Sequence, residues 1–146
     1  MKYGLLSIPL SCMISLTCHA QGCDNLFGTW TSGSGSTLIL QTDPTDNNGL
    51  LGSFKSPDGL FPDNVAFPLY GSFGTNTFDL PSKGTAISFR VNWTKEEGSI
   101  SSWTGACLTT SKGPKLDLLW HQANPAATKS IFHINSGSSI FYPAPE

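Results

Sequence analysis

The chain has 146 residues, of which 8 are Lys or Arg and 10 are Asp or Glu, so 12% are charged and the formal net charge is −2. So small a charge gives no long-range field to gather nucleic acid or an anionic membrane surface, and the length suits one domain rather than two. With 19 Ser and 14 Thr beside 15 Gly, 10 Pro and an aromatic share of 11%, the composition argues against a coiled coil, a membrane-spanning protein and a disordered acidic chain.

Residues 1–20 carry one basic residue, Lys2, then an apolar stretch through Leu16 that closes on small residues. Cys18 and Ala20 fit the small positions before a signal-peptidase cut, so the stretch reads as a secretory signal peptide cleaved after Ala20. A buried strand or a membrane anchor is the competing reading, but the run is short for a span and no basic stop-transfer cluster follows. The mature domain is then 21–146, secreted and extracellular. Cleavage removes Cys12 and Cys18 and leaves Cys23 and Cys107. In an oxidising compartment these two should form a disulfide, the alternative being two free thiols. Two distant cysteines and the histidines His121 and His133 have no metal-ligand spacing, so no metal is expected.

Along the mature chain the apolar residues repeat with period two, not with a helical period. Ile87, Phe89, Val91 and Trp93 alternate with small or polar residues, Leu116, Leu118 and Trp120 with Lys115, Asp117 and Leu119, and Ser36, Leu38 and Leu40 with Thr37, Ile39 and Gln41. Successive side chains of a strand point to opposite faces, so each set meets one side. Turn signals such as Asp46-Asn47-Asn48-Gly49, Pro57-Asp58-Gly59 and Ser111-Lys112-Gly113-Pro114 separate the runs. Strands are expected near 26–32, 35–42, 49–55, 65–80, 85–94, 99–109, 115–122 and 131–142. Short sequential connections favour antiparallel neighbours, and eight such strands can close into an up-and-down β-barrel without an exposed edge. A two-sheet sandwich is the competing architecture.

The same parity sends Trp30, Trp93, Trp103 and Trp120 inward, with Trp30 better read as core. Ser32, Ser36 and Ser101 share that parity. Apolar walls with a few placed polar groups are what small-ligand cavities look like. A buried hydroxyl left unpaired costs ~1–3 kcal/mol, so several together imply a ligand or ordered water.

Several stretches resemble the avidin and streptavidin family. Cys23-Asp24-Asn25-Leu26-Phe27-Gly28-Thr29-Trp30-Thr31, then Gly35-Ser36, is similar to its first two strands. Val91-Asn92-Trp93 with Trp103-Thr104-Gly105-Ala106-Cys107 is similar to the fifth and sixth, and Leu116 through Trp120 to the seventh. The likeness spans 23–142 in order, and the cysteine pair falls where avidin has its intrachain disulfide. It implies a secreted protein that binds biotin non-covalently inside the barrel, usually a homotetramer, with no cofactor. Matched positions place Ser36 and Ser32 against the ureido oxygen, Ser32 standing where the family has a longer Asn. Phe54 stands at a position that in the family carries a Tyr hydroxyl. Ser56 and Ser139 face the ureido N–H groups, Ser139 again as a shortened substitute. Ser101 matches a hydroxyl near the thioether, and Trp93, Trp103 and Trp120 match the aromatic walls. Gln122 replaces an apolar wall residue, and Ile131 or Phe132 stands where the family has a Trp that caps a neighbouring subunit's ligand. Ser99 lies near the expected carboxylate, although Glu96 and Glu97 would repel an anion there. Each lost donor costs ~1–3 kcal/mol, so the resemblance implies binding weaker than avidin's.

The alternative is the same barrel with a different small ligand, apolar or aromatic, used as a lipocalin is. An enzyme is not expected: no carboxylate is placed by spacing to orient His121 or His133 beside a Ser nucleophile. A homo-oligomer, tetramer or dimer, is the expected assembly. Asn92-Trp93-Thr94 is an N-x-[ST] acceptor, and with Trp93 inward Asn92 should face out.

Overall fold

In a computed structural model, which describes residues 22–57, 65–75, 84–93, 98–125 and 133–145, the chain forms eight strands. They are β1 (Gly28–Ser32), β2 (Thr37–Thr42), β3 (Gly49–Lys55), β4 (Phe67–Thr75), β5 (Gly84–Asn92), β6 (Ile100–Thr110), β7 (Gly113–Ala123) and β8 (Ile134–Pro143). Each strand pairs with the next, and β1 pairs with β8 to close the barrel. All pairs are antiparallel. The sandwich is thereby excluded, because every strand is bonded on both sides and none is an edge.

The alternation in sequence becomes an inside and an outside. In β5, Thr85, Ile87, Phe89 and Val91 are buried while Ala86, Ser88, Arg90 and Asn92 are exposed. Leu38 and Leu40 on β2, and Leu116 and Leu118 on β7, are likewise buried. Trp30 is fully enclosed, and its indole N–H donates to the Leu26 carbonyl at 2.9 Å. It is core, as its place near the start of the barrel suggested.

Up-and-down connectivity sends alternate connections to opposite ends. At one end Cys23 and Cys107 form a disulfide with Cα atoms 5.3 Å apart. There Thr85 Oγ1 donates to the Cys23 carbonyl at 2.7 Å, and Phe27 packs edge-on to Phe73 at 5.6 Å. The segment before β1 thus plugs this end. The other end holds the β1–β2 turn, and there β3, β5 and β7 end and β4, β6 and β8 begin.

Among the strand limits that differ from expectation, the start of β7 does so for a local reason. β7 starts at Gly113, not Lys115, because Gly113 pairs with Thr110 and Pro114 with Thr109. Gly113 has φ of +107°, a value side chains disfavour, and this lets Ser111 and Lys112 alone make the turn. β4 spans Phe67–Thr75, with residues 76–80 of the expected strand outside the described residues.

Candidate functional site

The end opposite the disulfide holds a cavity of about 160 Å³. The β1–β2 turn contributes Ser34 and Ser36, and the end of β3 contributes Phe54 and Ser56. Trp93 follows β5, Ser101 and Trp103 lie on β6, Trp120 and Gln122 on β7, and Ser139 on β8. Cross-strand register builds the far wall in rows. Ser101 opposes Gln122, and one step deeper Trp103 opposes Trp120, which in turn opposes Gly137. A Cβ on Gly137 would come within 2.6 Å of Trp120 Cζ2, so the missing side chain is what lets the indole lie against β8.

Phe54 forms the floor. Its ring is 4% exposed and reaches across the lumen from β3 to Trp103 on β6, with centroids 4.8 Å apart and planes tilted by 32°. It also meets Trp93 edge-on at 5.6 Å and Phe141 at 6.1 Å. Trp103 is stacked on Phe89 as well, at 5.1 Å. The result is an aromatic cluster that narrows the barrel below the serines. The cavity is consequently smaller than the ~300–1,000 Å³ usual for whole drug-sized ligands. It has room for one ring system with the rest of the molecule in the mouth.

Hydrogen bonding in the site is uneven. Trp93 Nε1 donates to Ser101 Oγ at 2.6 Å. Trp103 Nε1 is buried with no partner among the described residues, a deficit of ~1–3 kcal/mol. No ionisable side chain lines the cavity among the described residues. Its chemistry is that of neutral hydroxyls, one primary amide and indole faces. Such a set exchanges hydrogen bonds with an uncharged polar ring and encloses it between apolar walls.

Most of the residues singled out from sequence converge here: Ser36, Phe54, Ser56, Trp93, Ser101, Trp103, Trp120, Gln122 and Ser139 all line this cavity. Two others lie elsewhere. The Ser32 hydroxyl is taken up by the turn, accepting the Ser36 N–H at 3.0 Å and meeting Ser34 Oγ at 2.9 Å, and Ser34 lines the cavity instead. Ser99 is 2% exposed and lines a second, larger cavity of about 530 Å³, which Trp93 also borders, with Phe67, Tyr70, Asn92 and Ile100. Asn92 is exposed. Glu96, Glu97, Ile131 and Phe132 fall outside the described residues. His121 faces outward from β7, and among the described residues no cluster of His, Cys, Asp or Glu could hold a metal ion. Sequence reasoning missed Ser34 and Gly137; a glycine inside a strand pattern, as in Ser136-Gly137-Ser138, is the signal that marks a close approach.

A closed antiparallel barrel with a cavity opening at one end is the architecture of a small-ligand-binding protein. The Avidin family profile matches residues 20–144, and the chain belongs to that family. Among solved structures it is similar to apo shwanavidin, at 26% identity over 80% of this chain and 92% of that one, with a TM-score of 0.59. Xenavidin matches at 25% identity over 83% and 98%, TM-score 0.62. A rhizavidin–biotin complex shares the fold at 23% identity over 80% and 97%, TM-score 0.61. No curated protein matches the chain in sequence.

Proposed function

We propose that this is a secreted biotin-binding protein that holds its ligand non-covalently in the serine- and tryptophan-lined cavity, more weakly than avidin does. The carrying observation is a cavity lined by serines and tryptophans inside the barrel of a chain that the Avidin family profile matches over residues 20–144. Ser34, Ser36, Ser56 and Ser139 can each donate and accept, which suits a cyclic urea with one carbonyl and two N–H groups. Trp103 and Trp120 supply apolar faces for the fused rings. Two features support a lower affinity. Phe54 offers no hydroxyl, and its packing across the lumen restricts the cavity. Isothermal titration of the purified protein with biotin tests the reading: a saturable heat with one site per chain supports it, and no heat at millimolar biotin overturns it.

The Phe54 floor also favours a second reading, a barrel whose natural ligand is a smaller or flatter molecule than biotin. Native mass spectrometry of the secreted protein separates the two, because a co-purified mass other than biotin's identifies the alternative. The proposal includes export through residues 1–20, N-glycosylation of the exposed Asn92, and a homo-oligomer. The oligomer is supported by Tyr70, Ile100, Leu119, Ile134 and Ile140 on the outer face, each at least 39% exposed. Intact mass before and after deglycosylation tests the glycan, and light scattering after gel filtration tests the assembly.

A further inference from the structure

The wall facing the serine cluster carries donors for which a thioether has little use. Building on the biotin-class reading above, we infer that Ser101 and Gln122 form a second polar subsite that takes an acceptor oxygen on the ligand's ring, at the edge remote from the urea. The cavity therefore prefers a biotin-class ring bearing oxygen at that edge, as an S-oxide or as a ring oxygen, over the thioether.

Ser101 on β6 and Gln122 on β7 are directly paired, and both line the cavity. Residues so opposed hold their Cβ atoms about 4.5–5.5 Å apart, so one ligand atom can meet both side chains. Ser101 is 2% exposed, and its hydroxyl already accepts the Trp93 indole N–H at 2.6 Å. An oxygen engaged in that way still has its own proton to donate. Gln122 brings a primary amide with two N–H donors. Around them the wall is aromatic, with Trp103 and Trp120 one row deeper, and no carboxylate among the described lining residues absorbs these donors.

The ligand's orientation follows from where the remaining hydroxyls sit. Ser34 and Ser36 come from the β1–β2 turn, Ser56 follows β3 and Ser139 lies on β8. Of these, Ser34, Ser36 and Ser56 come from the far side of the barrel from β6–β7, whereas Ser139 lies on β8, the strand bonded to β7. A urea seated on that cluster turns the opposite edge of its fused ring towards Ser101 and Gln122. A thioether sulfur is a weak acceptor, whereas an oxygen can accept from both donors.

The test is calorimetric titration of the full secreted protein with three probes: biotin, biotin sulfoxide, and the analogue with oxygen replacing the ring sulfur. At least one oxygen-bearing probe is expected to bind about tenfold tighter than biotin, the increment of one added neutral hydrogen bond. The tighter of the two tells whether the oxygen is exocyclic or in the ring. Gln122→Met keeps the length of the side chain and removes its donors, so the preference should fall towards unity; Gln122→Leu is the substitute if the first variant does not fold. Biotin binding with no preference for oxygen, or a preference unchanged in both variants, overturns the subsite and leaves the biotin reading standing. No binding of any probe overturns both.

Discussion

Phe54→Tyr is the sharpest single substitution, because it restores one hydroxyl at the floor of the cavity and changes nothing else. The ring keeps its contacts with Trp103 at 4.8 Å, Trp93 at 5.6 Å and Phe141 at 6.1 Å. A new phenol oxygen needs about the room of one water, ~30 Å³ of liquid volume, and the adjoining cavity of about 160 Å³ has that space. The neighbouring serine hydroxyls can partner it in the free protein, so the folded state should change by less than about 1 kcal/mol. With a urea bound, the phenol donates to the carbonyl for about 0.5–1.5 kcal/mol, a gain of roughly 2–10-fold in affinity. Titration calorimetry with biotin reads the affinity, and a thermal melt of the unliganded protein serves as the control. An unchanged or weaker affinity at an unchanged melting temperature would refute the placement of the urea above Phe54. Phe54→Ala is the contrasting case: losing an almost fully buried ring should cost ~3–5 kcal/mol of stability.

Removing the Cys23–Cys107 bridge, which spans 84 residues of sequence, should lower unfolding stability by roughly 4–5 kcal/mol in guanidinium titrations. The fraction still folded should bind ligand unchanged, because the bridge lies at the opposite end from the cavity. Gly137→Ala puts a methyl within 2.6 Å of Trp120 Cζ2 and should cost about 1–3 kcal/mol. Ligand affinity should fall with it, and the shift of tryptophan fluorescence on binding should change; an unaltered affinity would show that Trp120 is not a wall of the bound site. On the outer face, Asp117 holds the Lys115 ammonium above its ordinary value of 10.5, through a hydrogen bond of 2.8 Å and then through charge attraction. A raised folded value means that the contribution is complete below the unfolded value and fades as pH rises through the folded one. The melting temperature of wild type relative to Lys115→Gln should therefore be highest near neutral pH and converge at strongly alkaline pH, and an advantage that persists there would contradict the assignment.

The barrel was legible because its signal is local. From Ile87 through Trp93 four large residues alternate with small or polar ones, and the burial follows that alternation residue by residue. Turn residues mark where strands stop, which is why all eight strands fall close to their expected positions. The failures are cases where a short-range rule met another constraint. Gly113-Pro114 carries strong turn chemistry, yet cross-strand pairing with Thr110 and Thr109 draws both residues into β7. Ser32 has the inward parity, but the neighbouring turn consumes its hydroxyl. At the site, sequence placed the serines and indoles along strands whose direction was known. It carried no information on Phe54 crossing the lumen to Trp103, a contact between strands three apart that depends on how the closed barrel is filled. Gly137 is intelligible only once Trp120 is known to need its space.

A crystal structure of the protein grown with biotin tests the central claim most directly. The account predicts a fused ring between Trp103 and Trp120, its urea among Ser34, Ser36, Ser56 and Ser139, and its chain leaving through the end of the barrel opposite Cys23–Cys107. Ordered solvent alone in that cavity at saturating biotin, or biotin bound outside the barrel, would contradict it.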